Sequence, residues 1–279
     1  MQRLGQHFLK NKNVAVKISD TLALRVGDTI FEIGPGHGEL TEQLKLSTGG
    51  GSAMGGKIKN MKIVSIEKDG GLCGVLKKRF KGDEEIEIIC GDALTQLPLL
   101  IQKYQNIKTS KYKLVGNIPY YITGHLLRII SELKNKPERA VFMVQKEVAE
   151  RIVAQPPKMN RLAASVQFWA EPKIIATVLR NDFRPAPDVD SAIIFLFKKD
   201  APAPCNTDDY YAAVRVIFSQ PRKTVLNNIL NGIDMKKGGN HAKEKIVAIL
   251  ENIGIDPKYR PQNLSVQNIM AITKAFFEK

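Results

Sequence analysis

Short apolar runs recur along the first two thirds of the chain, and stretches with the spacing of amphipathic helices lie between them. The runs occupy residues 28–33, 62–66, 86–90, 112–116 and 192–197. Runs of this length, bounded by glycine or charged residues, are typical of buried strands. Their order predicts an α/β fold on an open sheet. Ligands bind such a sheet at the carboxyl ends of its strands, so the residues that follow each run are the candidates for chemistry.

The run 112–116 is followed at once by Asn117, Ile118, Pro119 and Tyr120. Asn offers a carbonyl oxygen to an exocyclic amine, Pro fixes the direction of the neighbouring carbonyls, and Tyr offers a face for stacking. This set suits the amino group of an adenine. The alternative is an ordinary turn beside a half-buried Tyr, because Asn and Pro dominate turns.

The run 28–33 leads into a loop that contains Gly34, Gly36 and Gly38. A glycine-rich turn between strand and helix lets a ligand approach the backbone closely. The dinucleotide fingerprint needs its third glycine one position later, where this chain has Glu39, so a nicotinamide dinucleotide site is disfavoured. Taken alone, the loop fits a tight turn without function equally well.

Acidic residues follow the next two runs. Glu67 ends the run 62–66, where a carboxylate can accept both hydroxyls of a ribose, and Asp92 follows the run 86–90, where a carboxylate can accept from an adenine amino group. The glycine-rich tract 48–56 reads as an insertion that lengthens the spacing from the glycine loop to Glu67. A solvated charge at a strand end is the alternative for Glu67.

Taken together, these segments resemble the ribosomal RNA adenine N6-dimethyltransferase family, and within it the small-subunit branch most closely. The resemblance runs from the first residues to the last predicted helix. The motifs that carry it are GQHFL (5–9), EIGPGHG (32–38), IEKD (66–69), GDA (91–93), NIPYYIT (117–123), QKEVA (145–149), FRPAPDVDSA (183–192) and RKT (222–224).

The resemblance implies a Rossmann-like methyltransferase sheet that binds S-adenosylmethionine, with a small all-helical C-terminal domain. The family usually has Asn where this chain has His7. The implied contact between residue 7 and the cofactor therefore persists if the backbone of that residue makes it. The cofactor residues implied are His7, Leu9, Gly34, Gly36, Gly38, Glu67, Asp92, Ala93 and Asn117.

For the reaction, the resemblance implies that Asn117, Ile118 and Pro119 orient the amino group of a target adenine that stacks on Tyr120. Phe183 is implied as a second wall, and its alternative is packing beneath a proline-rich loop. The expected product is N6,N6-dimethyladenosine at two adjacent adenines in the 3′-terminal stem-loop of small-subunit rRNA. The expected substrate is that RNA or an assembling small subunit, and no metal is expected.

Two alternatives remain open. One is a large-subunit rRNA dimethyltransferase of the macrolide-resistance type, and the other is a non-catalytic RNA-binding assembly or transcription factor. The segment 183–192 and the long helical tail favour the small-subunit enzyme.

Composition agrees with an RNA partner. The chain of 279 residues carries 42 basic and 28 acidic side chains, a net charge of +14. Such an excess favours a polyanion. The proline-rich connector 199–205 predicts a methyltransferase domain at 1–199 and a helical domain at 200–279, which contacts RNA or supports the first. Arg222 and Lys223 are the predicted phosphate contacts, and their alternative is a solvated pair.

Three cysteines, Cys73, Cys90 and Cys205, lack metal-ligand spacing and predict buried thiols in a reducing cytosol. Neither a membrane span nor a secretory signal is recognisable. We therefore expect a cytoplasmic protein, and a monomer.

Overall fold

The computed structural model describes residues 7–47, 61–105, 112–200, 204–232 and 239–278. The glycine-rich tract 48–56 lies outside the described residues. The strands are β1 (Phe8–Leu9), β2 (Thr29–Ile33), β3 (Lys62–Glu67), β4 (Ile86–Cys90), β5 (Tyr112–Asn117), β6 (Arg139–Gln145), β7 (Ala170–Val178), β8 (Phe183–Arg184) and β9 (Ser191–Lys198).

Helices alternate with these strands and fill the C-terminal part. They are α1 (Lys12–Leu22), α2 (Glu39–Ser47), α3 (Gly70–Arg79), α4 (Ala93–Gln105), α5 (Thr123–Glu132), α6 (Lys146–Ile152), α7 (Arg161–Gln167), α8 (Thr207–Ile217), α9 (Val225–Gly232), α10 (Gly239–Asn252) and α11 (Val266–Phe276). The five predicted runs correspond to β2, β3, β4, β5 and β9 within a few residues, and the predicted fold class is confirmed.

The main sheet has seven strands in the order β4-β3-β2-β5-β6-β9-β7. The pairs from β4 to β6 are parallel, and β9 runs antiparallel to β6. The chain winds outward in one direction from β2 to β4 and then resumes at β5 on the other side of β2. This reversal creates a switch point between β2 and β5, where open sheets bind their ligands.

The central strands are apolar because their side chains are covered. Ile30 of β2, Ile63 of β3 and Val115 of β5 have no exposed surface, and they share a core with Ile18 of α1 and Leu44 of α2. Burial of each such side chain contributes about 2 kcal/mol. The core therefore holds the switch-point strands in fixed register.

Two compact units emerge from the contacts within the chain. One comprises residues 1–149 and 172–198, and the other comprises residues 150–171 and 199–279. The sequence predicted a single boundary after residue 199. The contacts instead group residues 150–171 with the C-terminal helices. The reason lies in packing: the ring of Phe168 stacks on Tyr210 of α8 at 3.8 Å between centroids, and the Tyr210 hydroxyl donates to the Ala164 carbonyl at 3.0 Å.

The prediction of three separate thiols was wrong for two of the cysteines. Cys73 of α3 and Cys90 at the end of β4 form a disulfide, while Cys205 is a buried free thiol. Asp69 caps the N-terminus of α3, and α3 packs on β4 so that the two Cα atoms lie 5.7 Å apart. Sequence spacing does not reveal this proximity, because it depends on how a helix docks on a neighbouring strand.

Candidate active site

A pocket opens at the switch point of the sheet, at the carboxyl ends of β2, β3, β5 and β6. Nine of the residues expected in the site surround it together with Phe8, Ile18, Pro35, Glu39, Leu40 and Met143. The nine are His7, Leu9, Gly34, Gly36, Glu67, Asn117, Ile118, Pro119 and Tyr120. Gly38, Asp92, Ala93 and Phe183 are not among the lining residues.

Glu67 joins two walls of this pocket. The residue is 4% exposed, and its carboxylate accepts hydrogen bonds from the Gly36 amide at 3.1 Å and from the Asp69 amide at 2.9 Å. Gly36 has φ +62°, and a Cβ there would lie 3.0 Å from the Phe8 ring. A side chain at residue 36 would be strained and crowded, so glycine keeps the loop open. Glu67 thereby fixes the loop, and its oxygens keep lone pairs for a ligand hydroxyl.

Burial raises the pKa of Glu67, and hydrogen bonds from backbone amides, chiefly those of Asp69 and Gly36, counteract that rise. Asp92 shows the opposite effect, because Lys68 lies 2.8 Å from its carboxylate and lowers its pKa. The other Asp92 oxygen accepts from the Leu94 amide at 2.9 Å. Asp92 is therefore a fixed anionic acceptor. Its partner Lys68 was missed from the sequence, although the motif IEKD contains it.

The N-terminal arm orients Asn117. The Asn117 side-chain amide donates to the carbonyl oxygen of His7 at 2.8 Å, so its own oxygen remains available as an acceptor. The arm is held there because β1 pairs antiparallel with β8 and because His7 Nδ1–H donates to the Pro185 carbonyl at 2.9 Å. The backbone of His7 makes the contact with Asn117, so that contact does not require the Asn usual in the family.

Tyr120, in the turn after β5, also lines the pocket. Its hydroxyl shares a hydrogen bond of 2.9 Å with Ser191, and burial raises its pKa. The ring of His7 lies 5.8 Å from the ring of Tyr120 with 29° between their planes. The Pro119 carbonyl accepts from the Ile122 amide at 3.0 Å, which closes a 3-10 turn and fixes the direction of the ring. Ser191 was missed, because its proximity depends on β9.

Phe183 lies elsewhere. It is 2% exposed, belongs to the core of the first unit and pairs with Leu9 through β8. This burial fits packing beneath the proline-rich loop, the alternative that we considered for it. Gly38 faces Leu76 and Phe80 of the α3 region rather than the pocket.

Arg222 and Lys223 are exposed in the second unit, at the start of the segment that leads into α9. Among the described residues no cluster of three or more His, Cys, Asp or Glu side chains could hold a metal ion. Within the same residues, no helix is both long and apolar enough to span a membrane.

A glycine loop, a buried carboxylate and an Asn-Ile-Pro-Tyr segment at the switch point of such a sheet define the class: a Rossmann-like methyltransferase that uses S-adenosylmethionine. The family model described as Ribosomal RNA adenine dimethylase matches residues 1–272. The chain belongs to this family, which makes it an adenine-N6 dimethyltransferase acting on ribosomal RNA.

Individual relatives agree with this assignment to the family. A protein of Dehalococcoides mccartyi named Ribosomal RNA small subunit methyltransferase A is 36% identical over 266 residues, which are 95% of this chain and 84% of the relative. The crystal structure of a dimethyladenosine transferase from Plasmodium falciparum is 27% identical with a TM-score of 0.74, covering 95% of this chain and 96% of that one. The 23S rRNA methyltransferase ErmE is 22% identical with a TM-score of 0.69, covering 97% and 100%, and this likeness shows the fold alone.

The close approach of β5 to β2 gives a test of the site's construction. A Cβ on Gly116 would lie 2.3 Å from the Ile33 carbonyl oxygen, so Gly116→Ala must push β5 away from β2 beside Asn117 and Gly34. We expect a loss of about 2 kcal/mol in the free energy of unfolding, together with at least tenfold weaker cofactor binding. Urea denaturation and calorimetric titration measure these effects.

Gly74→Ala is the matched control, because Gly74 lies within α3 and a Cβ there meets nothing within 4 Å. That change should stabilise the helix by up to about 1 kcal/mol. Equal stability and cofactor affinity in wild type and Gly116→Ala would show that the two strands do not need this close contact.

Proposed function

We propose that the protein transfers methyl groups from S-adenosylmethionine to N6 of two adjacent adenines in the 3′-terminal stem-loop of small-subunit ribosomal RNA. The product would be N6,N6-dimethyladenosine, formed during ribosome biogenesis. The observation that carries this proposal is the oriented amide of Asn117 beside the ring of Tyr120, in one pocket with Gly34 and Glu67. The name of the Dehalococcoides relative favours the small subunit.

The residues around the glycine loop fit the cofactor. When bound, S-adenosylmethionine supplies a methyl group that its sulfonium has already activated. Gly34 and Gly36 would allow its close approach, and Glu67 would accept from its ribose hydroxyls. Asp92, held as an anion by Lys68, would accept from the amino group of its adenine. Two carboxylates, those of Glu67 and Asp92, would thus accept hydrogen bonds from a ligand that carries positive charge.

Asn117 and Ile118 act on the nucleophile. The lone pair of adenine N6 is conjugated with the ring, which makes N6 a poor nucleophile. The Asn117 side-chain oxygen and the Ile118 carbonyl would each accept one of its two protons and draw the nitrogen toward a tetrahedral geometry. Asn117 and Ile118 would thereby hold N6 with its lone pair free for methyl transfer, and such alignment can supply a large part of the acceleration. No general base is needed before attack, since the methylated ammonium readily loses its proton to water.

Tyr120 captures the base by stacking, and Pro119 fixes the position of the Tyr120 ring. Phe183 would act as a second wall only if it left the core position described above. After the first transfer N6 keeps one proton, so the second round relies on one of the two hydrogen bonds. The pocket must then accept a rotated methylamine.

The second unit would contact the RNA backbone. Arg222 and Lys223 are exposed, and the Val225 amide donates to the Tyr259 carbonyl at 2.7 Å. This bond joins their segment to the one that carries the exposed Lys258 and Arg260. Four cations on two neighbouring segments suit phosphates. The partner would be small-subunit RNA or an assembling particle, met by a monomer in the cytoplasm.

Replacement of Asn117 tests the orienting role. Asn117→Ala should lower kcat about 100- to 1000-fold while the Kd for S-adenosylmethionine changes less than about threefold, because the lost acceptor acts mainly on N6. Asn117→Asp should also lose activity, since a carboxylate cannot donate to the His7 carbonyl. Single-turnover methylation and calorimetric titration separate the two effects. An Asn117→Ala enzyme with full turnover would remove Asn117 from the mechanism.

Replacement of Tyr120 separates stacking from hydrogen bonding. Tyr120→Phe keeps the ring and loses only the bond to Ser191, so we expect activity within about threefold of wild type. Tyr120→Ala removes the stacking face and should weaken capture of the base by about 1–3 kcal/mol, seen as a higher KM for RNA. If Tyr120→Phe were as impaired as Tyr120→Ala, the hydroxyl rather than the ring would matter.

The substrate is tested directly by transfer of labelled methyl groups. The purified protein is incubated with labelled S-adenosylmethionine and with small- or large-subunit RNA, each naked or in assembling particles, and the RNA is digested to nucleosides. We expect labelled dimethyladenosine from the small subunit at two neighbouring positions. Label in the large subunit would support the macrolide-resistance type. No label in any RNA would support a non-catalytic RNA-binding factor.

A further inference from the structure

A second buried carboxyl lies directly behind the cofactor loop. Glu32 is in β2, two residues before Gly34, and it has no exposed surface. Its Oε2 accepts hydrogen bonds from Thr41 Oγ1 at 2.6 Å and from Ser65 Oγ at 2.7 Å. Its Oε1 has no hydrogen-bond partner among the described residues. A buried carboxyl with an unpaired oxygen is costly to the fold, so its position beside the loop calls for a functional reason.

The two hydroxyl partners connect Glu32 to both sides of the pocket. Thr41 is in the first turn of α2, the helix that begins at Glu39 immediately after the glycine loop. Ser65 pairs with Glu32 across β2 and β3, two residues before Glu67. Glu32 therefore holds the helix after the loop and the strand that ends at Glu67 at a fixed distance from each other.

The electrostatic surroundings of Glu32 are acidic. Glu67 of β3 and Glu39 of α2 both disfavour a negative charge on it, whereas Thr41 and Ser65 favour that charge through their hydrogen bonds. In β5, the strand on its other side, the register partner is the apolar Val115. No ion pair to Glu32 occurs among the described residues. Burial is the largest effect and raises the pKa of Glu32 to about 7.

We propose that Glu32 is a positioning residue that sets the spacing of the glycine loop and β3, and that it releases its proton to solvent when S-adenosylmethionine binds. In the free protein the carboxyl carries its proton for part of the time near neutral pH. A ligand with a sulfonium and an ammonium group favours the anion nearby. The O–H bond then breaks, its electron pair stays on the carboxylate, and water or buffer takes the proton.

The coupling between cofactor binding and the protonation of Glu32 has a definite sign. Binding of a cation lowers the pKa of Glu32, so the affinity for S-adenosylmethionine should rise as the pH rises from 6 to 8. Each unit by which the pKa falls corresponds to a tenfold gain in affinity. S-adenosylhomocysteine lacks the sulfonium charge, so its binding should release fewer protons and depend less on pH.

Calorimetric titration of the full chain at pH 7 in buffers with different ionisation enthalpies counts the protons released. Wild type should release a measurable fraction of a proton with S-adenosylmethionine and a smaller one with S-adenosylhomocysteine. Glu32→Gln, which keeps the shape of the side chain without a titrating group, should lose this release and show a flat pH dependence of Kd. Glu42→Gln is the matched control, since Glu42 is an exposed acid on α2, next to Thr41, and should behave like wild type.

Two further variants keep the test decisive if Glu32→Gln is unstable. Thr41→Val and Ser65→Ala each remove one hydrogen bond that favours the anion, so the pH midpoint of cofactor affinity should move upward in both. Equal proton release in wild type and Glu32→Gln, or unmoved midpoints in the hydroxyl variants, would overturn the proposal. These outcomes concern cofactor binding without RNA, so they are independent of which RNA is methylated.

Discussion

The close approach of β5 to β2 is the constraint on which the site depends. Gly116 lies against the Ile33 carbonyl, with no room for a side chain between them. One residue further along each strand, Gly34 and Asn117 lie so close that a Cβ on Gly34 would be 3.5 Å from the Asn117 carbonyl oxygen. The glycine loop and the Asn-Ile-Pro-Tyr segment therefore begin at neighbouring points of one rigid core, and the proposed in-line transfer requires this proximity.

The second constraint on the site is electrostatic. Glu67 and Glu32 are both buried at the end of the sheet, where an anion is costly without partners. Glu67 is stabilised by two backbone amides, and Glu32 by two hydroxyls. We propose that a cationic ligand offsets the remaining cost, so that the carboxyls that hold the loop also favour the charge of the cofactor. Support of the fold and selection of the ligand would then rest on the same two side chains.

Sequence reasoning identified the strand ends because a buried strand must be apolar and a residue that interrupts the pattern at its end stands out. Gly34, Glu67 and Asn117 were found in this way, and they line one pocket. Three features were not found from the pattern. Ser191 reaches Tyr120 only through β9, and the His7 carbonyl reaches Asn117 only because β1 pairs with β8. The disulfide of Cys73 and Cys90 depends likewise on a helix docked on a strand.

The sequence by itself determined the succession of strands and helices, the family and the chemical character of each strand end. These properties are local, because the period of apolar residues and the identity of a side chain are written along the chain. The tertiary structure alone decided that the Asn117 side-chain nitrogen donates to the His7 carbonyl, that Phe183 is packed in the core, and that residues 150–171 join the C-terminal helices. Such properties arise from contacts between residues far apart in the chain, and no local pattern encodes them.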